Sequence, residues 1–237
     1  QSRRQRQMCI RDRDTPGPIT RNMADLALMF SVMKGIDGRK IEIDMMNGDG
    51  LFNIQMNIFK GLKFGIIDQK ERSRCTEDIL KSYDATLNLL VDLGAELEVF
   101  TSPIAYDDMA QFNGAITMYE GYRNHRHLYD DPSKSMDQNV KKRMLAGRDI
   151  TPQKHADHLS KRQDHQLIFK NAMADFDALI TPTIIEPAPK LDEIDENFTP
   201  GHFTRPFNYI DMSALALPIT YSSNGLPTSL QIVVPAG

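Results

Sequence analysis

Residues 62–100 constrain the fold of this chain more than any other stretch. Leu62-Lys-Phe-Gly-Ile-Ile67 reads as a strand, Thr76 as a helix cap, the run from there to Gly94 as a helix, and Ala95-Glu-Leu-Glu-Val-Phe100 as a second strand. Ile79, Tyr83, Leu87 and Leu90 share one face of that helix, spaced as a stripe that packs on a sheet. A strand, a crossover helix and a strand of this length return parallel with a right-handed sense. The expectation is an α/β fold: a layered sheet, parallel or mixed, covered by helices.

The neighbouring segments read consistently with it. Asn22, with Asp25 three residues on, caps a helix running to about Lys34, with Leu26, Met29, Phe30 and Met33 as a stripe facing a core and Gly35 as its left-handed stop. Residues 36–60 read as an acidic loop with a helical turn; Asp44, Asn47 and Asp49 lack the spacing of a calcium loop. Phe112 to His127 and Ser135 to Arg148 read as helices. Thr151-Pro152 begins another, a cap followed by proline at the first helical position, extending to Asp175 with Leu159, Ile168, Ala172 and Phe176 toward the core. Asp177-Ala-Leu-Ile180 is then a strand, and a proline-rich acidic loop from Glu186 to Pro200 follows. Ala214 to Thr220 and Ser229 to Val234 are two strands whose intervening Asn224-Gly225 signals a hairpin.

Both ends of the sequence stand apart. Residues 1–13 hold five arginines and one acid and join the body abruptly, so they are expected to be a non-native arm outside the fold. With their +4 set aside from the total of −4, residues 14–237 carry −8. At the other end the Ser229–Val234 strand is followed only by Pro235-Ala236-Gly237, and a body truncated at both ends, 14–237, is expected.

Charge and composition narrow the function classes. An acidic body is not a general nucleic-acid surface, and no run of about 18 apolar residues offers a bilayer span. Two cysteines, Cys9 and Cys75, make no disulfide framework, and no signal peptide opens the chain, so a cytoplasmic setting is expected. His155, His158 and His165 lie on one expected helix with His125 and His127 upstream, a conceivable zinc set, but the surrounding Lys, Gln and Asp read as a solvated face and no metal is expected. Cys75 sits beside Arg72 and Arg74, which would lower a thiol pKa, yet its loop-to-helix position reads as packing. His202, Ser213 and Ser222 are the ingredients of a serine triad without a Gly-x-Ser-x-Gly elbow, and Gly35, Gly38, Gly48 and Gly50 form no phosphate-binding loop. The residues read alone describe an α/β body with no self-sufficient active site.

Four blocks, in order, then resemble the amidase-signature family, serine hydrolases of amide bonds. They are Asp14-Thr-Pro-Gly-Pro-Ile-Thr-Arg21 with Met23-Ala-Asp-Leu-Ala-Leu28; Gly61-Leu-Lys-Phe-Gly-Ile-Ile67 with Leu93-Gly-Ala95; Phe176-Asp-Ala-Leu-Ile-Thr-Pro-Thr183; and Thr204-Arg-Pro-Phe-Asn208 with Ala216-Leu-Pro218 and Gly225-Leu-Pro-Thr-Ser-Leu-Gln231. The resemblance covers residues 14–235 and is to the C-terminal portion of a general amidase. It implies a layered mixed sheet covered by helices, incomplete in this chain, and no cofactor. In the family a neutral Lys takes a proton through a second Ser held in a cis peptide, and the nucleophilic Ser attacks the amide carbonyl. Those residues precede the Gly-Pro turn, so no catalytic residue is expected here, and the chain by itself is expected to be inactive and poorly soluble.

What the resemblance assigns to this portion is part of the substrate pocket: Met118, Tyr119, Glu120, Arg143, Thr181, Pro182 and Asn208, each with packing or surface exposure as its plainer alternative. The implied partner is a small-molecule amide, with neither nucleic acid nor membrane, and a homodimer stays open. Val140-Lys-Lys-Arg143 also resembles the glutamine-hydrolysing amidotransferase branch, whose acidic residue before the Phe-Thr-x-Pro-x-Asn block is replaced here by Gly201 and His202. That departure favours a general amidase; a degenerate or partner-completing non-catalytic polypeptide, and a fragment of the glutamine-hydrolysing amidotransferase component, are the alternatives.

Overall fold

A computed structural model describes residues 16–35, 58–195 and 200–235. The arginine-rich start, the acidic stretch 36–57 and the end of the proline-rich loop at 196–199 lie outside the described residues. Thr15–Ile58 and Phe59–Gly237 form two units. In the first, helix α1 spans Met23–Met33 and begins as expected: the Asn22 side chain accepts from the Asp25 amide at 2.8 Å, and Gly35 ends it at φ +80. Its stripe is corrected, since only Leu26 is half-buried while Met29, Phe30 and Met33 are exposed. Within residues 16–35 no second element covers that face.

The second unit is built on five strands: β1 Lys63–Ile67, β2 Glu96–Phe100, β3 Ala178–Pro182, β4 Met212–Tyr221 and β5 Pro227–Pro235, in the spatial order β2-β1-β3-β5-β4. Both β2 and β3 run parallel to β1, and β5 runs antiparallel to β3 and β4. The sheet is therefore mixed. Strand β3 lies at its centre and is buried along its whole length, which is why Ala-Leu-Ile-Thr-Pro shows no polar alternation. The β4–β5 hairpin closes where Asn224-Gly225 signals it, with Gly225 at φ +75 and its amide donating to the Ser222 carbonyl at 2.9 Å. Pairing in the hairpin slips between Pro218 and Thr220, where proline has no amide hydrogen to give the ladder.

Helices in this unit are α2 Gln69–Arg72, α3 Glu77–Asp92, α4 Tyr106–Tyr129, α5 Gln138–Leu145, α6 Pro152–Ala172 and α7 Arg205–Tyr209, with a 3-10 turn at Ala146–Asp149. Helix α3 is the expected crossover: Ile79, Tyr83 and Leu87 are buried and Leu90 packs against the core. Thr76 stands at its N-cap without a side-chain bond, its own amide donating to the Ile185 carbonyl at 2.8 Å instead. Short α2 was not legible; it is capped by Asp68, whose carboxylate accepts from the Glu71 amide at 2.9 Å. Helix α4 begins at Tyr106, six residues before Phe112, since Tyr106 and Met109 belong to the buried face.

Helix α6 corrects the expected core register. Thr151 caps it through the Lys154 amide, but it ends at Ala172, and Ile168 is exposed while Phe169 is fully buried. The inward stripe is His165, Phe169, Ala172 and Met173, at i, i+4, i+7 and i+8. A histidine takes a core position, so counting apolar residues alone misplaced the face by one residue. Phe100 joins this stripe to the sheet, its ring 5.4 Å from Phe169 and 5.6 Å from Phe176.

Candidate functional site

The segment Gly201–Tyr209 is pinned to the end of β3 by one side chain. Gln231, buried on β5, donates through Nε2 to Thr181 Oγ1 at 3.1 Å and to the Phe203 carbonyl at 2.8 Å, and the Thr181 hydroxyl donates to the Pro182 carbonyl at 2.9 Å. Phe203, Pro206, Phe207 and Tyr209 are buried, so α7 is anchored by its apolar side chains. Of the residues assigned to the substrate pocket, Thr181, Pro182 and Asn208 therefore belong to one neighbourhood: the first two are buried in β3 and Asn208 is half-buried on α7.

Met118, Tyr119 and Glu120 lie half-buried on α4 and are engaged by other elements. His155 of α6 stacks on Tyr119 with ring centroids 4.1 Å apart, and its Nε2 lies 3.5 Å from Glu120 Oε1. The guanidinium of Arg123 sits 5.7 Å from the Tyr119 ring. Gly147 in the 3-10 turn lies so close to Met118 that a Cβ there would fall 2.0 Å from the Met118 carbonyl oxygen. That contact ties the segment carrying exposed Arg143, on α5, to the backbone of α4.

Arg205 was not singled out in the sequence, although it interrupts the buried run from Phe203 to Phe207 with a charge. It is half-buried at the start of α7 and donates through Nη2 to the Ala110 carbonyl of α4 at 3.3 Å. Burial, and after it the positive charge of Arg143, pushes its pKa down.

The other sequence candidates have structural placements. His202 is buried, with Nε2 2.5 Å from Glu71 Oε2 and Nδ1 3.5 Å from Asp107 Oδ1. Among the described residues no hydrogen bond links it to Ser213, which is exposed, or to Ser222, whose hydroxyl accepts from the Leu226 amide at 3.1 Å. His158 packs edge-on against Phe112, and His165 Nδ1 lies 3.1 Å from the Tyr209 hydroxyl. Among the described residues no three His, Cys, Asp or Glu side chains gather in a way that could hold a metal ion, and no helix is long and apolar enough to cross a membrane. The Cys75 thiol is pushed up to about 11 by burial and then by Glu71, against the pull of Arg72 and Arg74. The cavity of about 580 Å³ lies elsewhere, between α3 and the tip of the β4–β5 hairpin, lined by Asp78, Lys81, Leu89, Tyr221 and Ser223 among others. None of the assigned pocket residues lines it.

This architecture is that of a solved amidase, which superposes with a TM-score of 0.74 at 23% identity over 93% of this chain and 49% of that one. The family model for amidases matches residues 2–237, and the chain belongs to that family. Among curated proteins it is similar to the amidotransferase component of that family from Halothermothrix orenii, a polypeptide of glutamyl-tRNA(Gln) amidotransferase, 27% identical over 94% of this chain and 52% of that protein. The mitochondrial counterpart from Aedes aegypti is 26% identical over 95% of this chain and 52% of its own length. The chain thus spans about half the length of the relatives it matches.

Proposed function

We propose that this chain is the C-terminal part of an amidase that hydrolyses carbon–nitrogen bonds of small amides, completing the sheet and one wall of the substrate pocket. The observation that carries the reading is the amidase match across residues 2–237. In this reading the nucleophilic serine, the bridging serine and the lysine base are supplied by sequence outside these residues. Thr181, Pro182 and Asn208 line the pocket from the end of β3 and from α7, while Met118, Tyr119, Glu120 and Arg143 line it from α4 and α5.

The experiment is ammonia release from simple carboxamides by the purified 237-residue chain, and by the same chain preceded by an amidase segment bearing the lysine and both serines. No release from the chain alone and release from the joined protein is the expected result. Turnover by the chain alone, unaffected by serine-directed inhibitors, would overturn the mechanism.

A second reading, a glutamyl-tRNA(Gln) amidotransferase component, has the support of the relatives just described. It is disfavoured at Gly201 and His202, where that branch carries an acid, since His202 is turned inward onto Glu71. Glutamine hydrolysis exceeding that of other amides in the joined protein would reverse this preference.

A further inference from the structure

Three arginines are half-buried among the described residues, and two of them hold a carboxylate. Arg72 grips Asp84 with two bonds of 2.8 Å, and Arg162 is paired with Asp211. Arg205 is the exception. In a chain with more acids than bases, its one polar contact among the described residues is the Ala110 carbonyl, and no carboxylate meets it. A guanidinium carries five N–H donors in a rigid plane, and withdrawing them from water without an acceptor is unfavourable. The positive charge of Arg143 nearby makes the uncompensated charge costlier still.

The surroundings are shaped to hold this side chain. A Cβ at Gly114 would fall 3.2 Å from Arg205 Nη2, and one at Gly201 would fall 2.7 Å from its Cγ. Glycines on both sides thus leave room for the extended side chain to lie along α4. Asn113 shares with Ala110 and Gly114 the helical face on which the guanidinium rests; it is buried, and its Oδ1 has no hydrogen-bond partner among the described residues. An unclaimed fork of donors and an unclaimed acceptor on one face make a site for a ligand that offers a carboxylate together with an N–H.

We propose that Arg205 is a specificity-determining residue that pairs with a carboxylate on the acyl half of the substrate, so that the preferred amides are monoamides of dicarboxylic acids. A planar carboxylate accepts two parallel bonds from a guanidinium, which a neutral amide of the same length does not. Asn113 accepts the N–H of the same ligand. The inference rests on the amidase reading for its word "substrate", but the anion pairing itself does not depend on turnover.

Calorimetric titration of the 237-residue chain with succinamate and with butyramide, its uncharged counterpart, tests it. Saturable succinamate binding is expected, weakened about tenfold or more in Arg205→Gln and less in Arg205→Lys, which keeps the charge but loses the fork. Butyramide is expected to bind weakly and equally to all three. Each variant is first matched to the parent by thermal melting; if Arg205→Gln does not fold, Arg205→Lys carries the comparison. Equal affinity for the two ligands, no succinamate binding, or unchanged binding in the variants overturns the proposal. Ammonia release is read separately: a chain that binds succinamate through Arg205, yet hydrolyses no amide when joined to the catalytic segment, defeats the amidase reading and leaves the pairing intact.

Discussion

His202 Nε2 lies 2.5 Å from Glu71 Oε2, joining residues 131 positions apart inside the protein, with both side chains less than a tenth exposed. Glu71 stands on α2, and His202 on the segment that leads into α7. Asp107 lies 3.5 Å from the other ring nitrogen and is itself bonded to Arg74 at 2.6 Å. The pair therefore fastens the pocket-bearing segment to the end of β1.

Removing either member leaves the other buried without its partner. Glu71→Ala and His202→Ala are each expected to cost about 1–3 kcal/mol, and the double variant less than the sum, with a coupling of at least about 1 kcal/mol. Denaturant unfolding of the four proteins measures it; strictly additive losses would count against a direct pairing.

The Tyr83 hydroxyl donates to the Ile180 carbonyl at 2.7 Å and accepts from the Ile67 amide at 3.3 Å, so one atom of α3 bridges β1 and β3. Burial pushes its pKa well above the ordinary tyrosine range, and it stays neutral and able to donate. Tyr83→Phe is expected to lower stability by about 1–2 kcal/mol. Tyr83→Ala, which also empties a core position, should lose about 3–5 kcal/mol. Equal losses for the two would show that the bridging bonds, and not the ring, hold α3 in place.

Two α6 histidines make stability depend on pH. Burial lowers the pKa of His158 and His165, with Lys154 and Lys161 adding to it; Asp157 opposes the shift at the first, and Asp164 and Asp108 at the second. Their folded pKa values lie below the unfolded value of about 6.5, so the folded state binds fewer protons. The contribution is fully present above that pH and is lost as pH falls through the folded values. The melting temperature is expected to drop between pH 7.5 and 5.5, and the drop should shrink in His158→Phe/His165→Asn. An unchanged pH slope in that variant would refute the assignment.

Close approach at Gly147 sets the distance between α4 and the turn after α5. An added methyl would meet the Met118 backbone at 2.0 Å and 2.5 Å, whereas at Gly121 it would meet only the flexible Met144 Sδ, at 2.6 Å. Gly147→Ala is expected to cost about 3 kcal/mol and Gly121→Ala about 1 kcal/mol, since backbone yields less readily than a methionine tip. Thermal melts of the two variants would contradict this if their order were reversed.

The amino-acid sequence by itself determined the β1–α3–β2 unit, the β4–β5 hairpin, the Asn22 cap and the Thr151-Pro152 start, because each is written in neighbouring residues through periodicity or turn chemistry. It placed the assigned pocket residues in segments, without saying what each side chain meets. The stripe on α6 was misread at Ile168 because a buried His165 looks polar in a list of residues, though its ring packs on Phe112. Tertiary structure alone decided that Gln231 would bridge Thr181 and Phe203, that His155 would stack on Tyr119, and that Arg205 would be left without a carboxylate. The physical reason is that a polar side chain has no periodic signature. Its partner is chosen by which distant segments the closed sheet and its covering helices bring within hydrogen-bonding distance.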